Sequence, residues 1–100
     1  MAKVFISQPM KGKTDQEILE ERANAFSLIK SSHSGYELID TFIDDDLDEK
    51  HEGLKYLAKS IEMLDEAVGV WMLKGWEEAR GCRIEHECAK AYCIPVYYLY

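Results

Sequence analysis

Four short apolar runs along the chain predict β-strands. They are rich in β-branched and aromatic residues, and residues that favour turns surround them. The run AVGVWML is apolar throughout instead of alternating, which is typical of a central parallel strand covered on both faces. The predicted strands are residues 3–7, 36–39, 67–73 and 95–100.

Three longer segments between these runs predict helices, because their apolar residues recur at spacings of three and four. The predicted helices are residues 14–31, 54–64 and 81–92. The first begins with a capping box, in which Thr14 and Glu17 each bind the other's backbone N–H. We expect these side chains of the first two helices to face the core: Ile18, Leu19, Ala23, Phe26 and Ile29, then Leu54, Leu57, Ala58, Ile61 and Leu64.

The third predicted helix, GCRIEHECAKAY, carries a carboxylate at the border of its apolar face. Glu85 belongs to a stripe, with Ala89 and Tyr92, beside the residues that we expect to be buried. A helix that begins at Gly81 holds this carboxylate in its first turn, where the helix dipole favours negative charge. A role as a helix cap alone is the alternative to a functional role. The predicted buried stripe is Ile84, Cys88 and Ala91.

The alternation of strands and helices predicts the fold. A β-α-β-α-β-α-β order is typical of an α/β protein with a parallel sheet and right-handed crossovers. Strand order 2-1-3-4, with helices on both faces, makes a doubly wound sheet whose topological switch point lies between the first and third strands. The chain has 100 residues, with no internal repeat and no linker, so we expect a single domain over residues 1–100.

The charge balance narrows the class of ligand. A net charge of −7 argues against binding to a nucleic-acid backbone, which needs a basic face, but leaves a small nucleoside or nucleotide possible. No apolar run approaches the roughly 20 residues of a membrane span, and the start MAKVFIS does not resemble a signal peptide. The three cysteines are odd in number and lie close together, which reduced thiols explain most simply, so we expect a cytoplasmic protein. Because no run is long enough to span a membrane, we expect no membrane partner. The acidic segment 40–52 predicts an exposed loop.

Three segments should meet at the carboxyl edge of the sheet, where open α/β sheets bind their ligands. They are residues 7–13, 71–76 and 81–86, and they offer backbone amides, lysines, aromatic rings and one carboxylate. We expect no metal and no cofactor. The candidate site residues are Glu85 as the catalytic group and Ser7, Gln8, Met10, Gly12, Lys13, Trp76, Gly81 and Cys82 as substrate-binding groups.

Nearly the whole chain resembles the nucleoside 2-deoxyribosyltransferase-like superfamily, and most closely its short bacterial and phage branch. The segments VFISQPMKGK, DEAVGVWMLKGW, ARGCRIEHECAKAY and IPVYYL carry the resemblance, and Gly-x-x-x-Glu-x-x-x-Ala at Gly81, Glu85 and Ala89 is its most specific motif. The resemblance implies a flavodoxin-like fold and a nucleophilic role for Glu85. It therefore implies transfer or hydrolysis at the N-glycosidic bond of a nucleoside or nucleotide, a retaining reaction that needs such a carboxylate.

The chain departs from that family pattern at two positions. Leu57 stands where the enzymes usually carry an aspartate, about two helical turns before Asp65, and Glu87 replaces a common glycine. Two alternatives to an enzyme are therefore a non-catalytic nucleotide-binding module and a phage or bacterial interaction protein. Candidate substitute acids are Asp44, Asp45 and Asp46.

The resemblance and the composition also predict self-association. The aromatic segment YYLY and Trp76 provide apolar surface of the kind that another chain covers. We expect a homo-oligomer, most simply a two-fold dimer, because closed symmetric pairing is the commonest solution. The helices at residues 54–64 and 81–92 are the expected contact surfaces, and a neighbouring subunit could provide the acid that Leu57 lacks.

Overall fold

The computed structural model describes residues 2–32, 35–39 and 52–100. Its elements, in chain order, are β1 (Lys3–Ser7), α1 (Asp15–Ser32), β2 (Glu37–Leu38), α2 (Glu52–Leu64), β3 (Ala67–Leu73), α3 (Arg80–Ala91) and β4 (Val96–Leu99). A short 3-10 turn, Trp76–Glu78, precedes α3. Each predicted strand and helix is therefore confirmed, although β2 and β4 are shorter than predicted. The predicted acidic loop at residues 40–52 lies outside the described residues, except for Glu52, which opens α2.

All strand pairs in the sheet are parallel, in the order β2-β1-β3-β4. Because β1 lies between β2 and β3, the chain first passes from β1 to β2 on one side and then crosses to β3 on the other side of β1. This arrangement confirms the predicted doubly wound, flavodoxin-like α/β fold with its switch point between β1 and β3. None of the helices in the described ranges has both the length and the apolar character of a membrane span.

The sheet separates two apolar cores, because successive side chains of a strand point to opposite faces. Along β1, Val4 and Ile6 pack against α1, whereas Phe5 packs on the face that α2 and α3 cover. The α1 core contains Val4, Ile6, Ala25, Ile29, Trp71 and Leu73; the opposite core contains Phe5, Ile39, Leu64, Val70, Met72, Cys82 and Ala89. The same alternation also decides towards which face of the sheet the polar residues at the end of β1 are directed.

The capping box of α1 is confirmed, but its predicted buried face is wrong in part. The Thr14 and Glu17 side chains bind each other's backbone N–H at 3.1 and 3.0 Å. Leu19 and Ala23 are exposed, and the buried stripe instead runs through the charged residue Arg22. Burying Arg22 turns the helix so that its stripe is Ile18, Arg22, Ala25 and Ile29. Counting apolar residues alone misses a buried arginine.

The predicted buried face of α3 is also wrong. Ile84 and Ala91 are exposed and Cys88 is half-buried, whereas Cys82, Glu85 and Ala89 are buried. The helix is rotated so that the stripe containing the carboxylate, rather than the more apolar stripe, faces the sheet. On α2, Leu54 and Ala58 are exposed and the polar residue Ser60 is buried. Both departures bring polar groups towards the same place, the carboxyl end of β1.

Candidate active site

The central feature of the candidate site is a buried hydrogen bond between two residues that lie 78 positions apart in sequence. Ser7 is the last residue of β1, and its alternation places it on the same face as Phe5, towards α3. The Ser7 Oγ donates to Glu85 Oε1 at 2.6 Å, and the two residues are only 1% and 8% exposed. The carboxylate is thereby fixed at the switch point of the sheet, where ligands bind in folds of this type.

The position of Glu85 within α3 differs from the prediction. Because the helix begins at Arg80, Glu85 lies in the second turn, and the first turn contains no acidic residue. The influence of the helix dipole falls off within the first turn, so it does not govern this carboxylate. Side-chain hydrogen bonds hold it instead.

Burial is the main influence on the ionisation of Glu85. Loss of solvent raises the pKa of its carboxyl from 4.5 to about 6, against the opposing effects of hydrogen bonds from Ser7 and Ser60 and of the Arg22 guanidinium. The carboxyl group is therefore largely ionised at neutral pH but is shielded from water. A nucleophilic carboxylate needs both properties, because a solvated anion attacks less readily.

Cys82 lies one helical turn before Glu85 and forms part of the same buried wall. Burial is the largest influence on its thiol, and with the neighbouring Glu85 charge it raises the pKa to about 11, although the Ser7 hydroxyl opposes the shift. The thiol is protonated at neutral pH, so Cys82 shapes the site and is not a nucleophile.

Gln8 and Lys13 belong to a second polar network, on the α1 face of the sheet. The Gln8 Nε2 donates to the Ile18 carbonyl at 2.8 Å and to Glu21 at 2.9 Å, and Arg22 Nε donates to Gln8 Oε1 at 3.2 Å. Lys13 binds both carboxylate oxygens of Glu21, at 2.9 and 3.0 Å. Gln8 is buried and fully engaged, so it ties the loop after β1 to α1 instead of facing Glu85.

Two groups near Glu85 were not predicted from the sequence. Ser60 approaches from α2 and Arg22 from α1, and they are only 4% and 3% exposed. The spacing of α1 contains a signal for Arg22, because it lies four residues after Ile18 and seven before Ile29, both buried. The sequence offers no comparable signal for Ser60.

The loops after β1 and β3 meet above the sheet, as predicted. A side-chain carbon added at Gly75 would lie 3.6 Å from Pro9, so the two loops are in contact. The first loop turns through a hydrogen bond from Lys13 N to Met10 O at 3.1 Å, and Gly12 takes the left-handed φ of 81° there. Gly12 is exposed, and Met10 is half-buried.

Trp76 has partners of its own. Its ring stacks on His86 with a centroid distance of 4.3 Å, and its Nε1 donates to the Tyr100 hydroxyl at 3.2 Å. Tyr98 joins the group through a 2.7 Å hydrogen bond with His86 Nε2. Trp76 therefore belongs to an aromatic cluster that links α3 to β4.

The departure at Leu57 falls beside the candidate site. A side-chain carbon added at Gly81 would lie 4.0 Å from Leu57 Cδ1, so this leucine borders the start of α3. The side chain at this position is therefore apolar and cannot donate a proton. The substitute acids Asp44, Asp45 and Asp46 are outside the described residues.

Among the described residues, Glu85 is accompanied neither by a metal-binding cluster nor by either of two surface clefts. Within the described part of the chain, no group of three His, Cys, Asp or Glu side chains is placed to hold a metal ion. Two surface clefts, of about 490 Å³ beside Lys59 and about 230 Å³ beside Leu28, do not include Glu85. The case for Glu85 therefore depends on its contacts, not on a cavity.

The parallel sheet in the order β2-β1-β3-β4 makes this a flavodoxin-like α/β protein. Its candidate catalytic group is the buried, hydrogen-bonded carboxylate at the switch point of the sheet. Residues 2–98 match a family described as "Domain of unknown function (DUF4406)", and the chain belongs to that family. No curated protein and no solved structure matched the chain.

Proposed function

We propose that the protein is a nucleoside 2-deoxyribosyltransferase-like enzyme that uses Glu85 to transfer or hydrolyse the N-glycosidic bond of a nucleoside or nucleotide. The observation that supports this most directly is the 2.6 Å bond from Ser7 to a carboxylate that is 8% exposed. Helix α3 supplies the carboxylate, β1 supplies the group that orients it, and both lie at the sheet edge where ligands bind.

In the proposed reaction Glu85 attacks the anomeric carbon of the sugar. A bond forms between a carboxylate oxygen and that carbon while the carbon–nitrogen bond breaks. The base leaves with the electron pair and takes up a proton from solvent, to which the attacking water or second base later returns one. Water or a second base then attacks the same carbon and releases the carboxylate, so the configuration of the sugar is retained. Ser7 is the positioning residue, because its bond to Oε1 fixes the rotation of the carboxylate.

A second candidate function is nucleotide binding without turnover. Leu57, beside Gly81, favours it, because this side chain cannot protonate a departing base. On either proposal the protein acts in the cytoplasm on a small nucleoside or nucleotide and not on a nucleic-acid polymer. The free thiols of Cys82, Cys88 and Cys93 agree with a reducing compartment.

Release of free base separates the two candidates. The protein is incubated with a panel of nucleosides and 5′-nucleotides, with and without an acceptor base, and free base is measured by chromatography. We expect release that Glu85→Gln abolishes and that Glu20→Gln, the same change at an exposed position on α1, preserves. Binding of a nucleotide without release of base supports the binding module. If the protein neither binds a nucleotide nor releases base, both candidates are contradicted.

The pH profile of the reaction tests the role of Ser7. The Ser7 hydroxyl lowers the pKa of Glu85, so Ser7→Ala should move the rising limb of the profile to higher pH. The variant should lose rate mainly below neutral pH and recover part of it in alkaline buffer. An unshifted profile would mean that Ser7 does not set the pKa of Glu85, and an unchanged rate together with lower stability would mean that Ser7 contributes only to folding.

A further inference from the structure

Strand β4 forms an edge of the sheet and has unused backbone hydrogen-bonding groups. It pairs with β3 in the register Val70 to Val96 through Leu73 to Leu99, and Val70 N bonds to Pro95 O at 2.9 Å. In a parallel ladder, every second residue of a strand directs its backbone hydrogen-bonding groups to the same neighbouring strand. The backbone groups of Pro95, Tyr97 and Leu99 are therefore directed to β3. Val96 and Tyr98 consequently direct their N–H and C=O groups outwards. Among the described residues, no strand lies beyond β4.

The composition of β4 is that of a covered strand, not of an exposed edge. Residues 91–100 contain no Asp, Glu, Lys or Arg, although 31% of the chain is charged, and this is its longest uncharged run. Tyr97, Tyr98 and Tyr100 are 47%, 46% and 68% exposed. Natural edge strands are usually protected by a charge, a proline or a bulge. Val96–Leu99 contains no charge, and the adjacent Pro95 faces β3 and not the outer edge. An edge of this kind is suited to pairing with another strand.

We propose that β4 is a self-association edge, which pairs antiparallel with β4 of a second copy of the chain about a two-fold axis at Tyr98. The outward N–H and C=O groups of Tyr98 then bond those of the same residue in the second copy, and Val96 bonds residue 100 opposite. The two four-stranded sheets join into one sheet of eight strands. This inference does not depend on the proposed enzymatic function.

Charge favours a second copy as the partner. Each chain carries a net charge of −7, so contact between two copies through a charged surface is unfavourable, whereas a neutral surface avoids placing like charges face to face. In the register centred on Tyr98, Tyr97 lies opposite Leu99 of the second copy, and Val96 lies opposite Tyr100. Every facing pair is uncharged and apolar or aromatic, so the strand is complementary to itself.

Symmetry gives a second reason. A two-fold antiparallel pair uses the β4 edge of both copies at once and leaves neither free, whereas parallel addition would leave an edge open for further growth. The expected homo-dimer therefore has a contact surface different from α2 and α3, which the sequence suggested.

The apolar surface continues from β4 onto the α1 face of the sheet. The cleft of about 230 Å³ beside Leu28 adjoins the exposed edge, and its lining is partly apolar (Ala25, Leu73 and Leu99) and partly polar (Glu21, Asn24 and Lys74). Tyr97 stacks on Trp71 with centroids 4.7 Å apart on the same face. In the proposed dimer Leu99 of the second copy extends this row of apolar side chains, which strengthens the strand pairing.

A matched pair of variants at Tyr98 tests the proposal. Both Tyr98→Pro and Tyr98→Val remove the ring and its bond to His86, but only proline removes the outward N–H, and no bond to β3 is lost in either. By light scattering at micromolar concentration we expect the wild type and Tyr98→Val at twice 11.6 kDa, and Tyr98→Pro as a monomer. Leu54→Lys, at a 71% exposed position on α2, should remain dimeric.

Amide exchange in the wild type gives an independent readout if the proline variant fails to fold. The outward Tyr98 amide should be protected from exchange at high protein concentration and should lose protection on dilution, whereas the inward Tyr97 amide should stay protected throughout. A wild type that is monomeric at 100 µM overturns the proposal, even if its edge binds a strand of another protein. So does a dimer that Leu54→Lys dissociates, or a Tyr98 amide that exchanges freely within the dimer.

Discussion

Replacing Glu85 with glutamine should stabilise the folded protein at neutral pH. The carboxyl group is 8% exposed, and its pKa is raised to about 6, mainly by burial. A raised pKa means that the folded protein favours the neutral, protonated acid, so ionisation of Glu85 opposes folding. Glutamine has nearly the same shape and no charge to bury.

The pKa values set the size and the pH range of the effect. The folded protein binds the Glu85 proton more tightly than the unfolded chain, so the free energy of unfolding falls as pH rises from 4.5 through about 6. At about 1.4 kcal/mol per pKa unit, the loss reaches about 2 kcal/mol and persists at higher pH. In a domain of this size, that corresponds to roughly 10 °C in Tm.

Urea unfolding followed by circular dichroism between pH 4 and pH 8 measures this difference. The free energy of unfolding of Glu85→Gln minus that of the wild type should increase by about 2 kcal/mol over that range, mostly between pH 4.5 and pH 6.5. The exposed control Glu87→Gln should show no such increase. A difference that does not change with pH, or a Glu85→Gln protein that becomes less stable relative to wild type as pH rises, would refute the assignment of a buried carboxylate with a raised pKa.

Three further predictions concern other parts of the fold. Thr14→Ala removes a capping hydrogen bond and should lower the free energy of unfolding by about 1 kcal/mol in the same urea assay. Gly69→Ala places a carbon 2.9 Å from an aromatic ring and should cost about 1–3 kcal/mol, whereas Gly35→Ala, with no neighbour within 4 Å, should cost much less; equal effects would contradict the packing argument. Iodoacetamide should label exposed Cys93 quickly and buried Cys82 only after unfolding, as read by mass spectrometry; rapid labelling of Cys82 would contradict its burial.

The fold could be predicted from the sequence because its signals are local. The Thr14 capping box, the apolar run at residues 67–73 and the alternation of strands with helices each depend on a few neighbouring residues. The rules for parallel crossovers then leave few topologies, and the order 2-1-3-4 is one of them. The rotation of the helices was harder to predict, because Arg22 and Glu85 are buried through partners that are distant in sequence.

The candidate site shows the same division. Motif spacing was enough to single out Glu85, and the order of the strands was enough to bring Ser7 to the same sheet edge. Strand alternation directs Gln8 away from Ser7, but the sequence could not show that Gln8 bonds a buried Arg22, because that depends on how α1 packs on the sheet.

The sequence by itself determined the elements, their order and one carboxylate of interest, because periodicity and capping act over short distances. Only the tertiary structure decided that this carboxylate is buried, that Ser7 and Ser60 hold it and that its pKa is raised to about 6. It also decided that the uncharged strand β4 lies at an edge of the sheet and not in its interior. The physical reason is that burial, desolvation and edge exposure depend on which distant residues surround a group, and no local pattern contains that information.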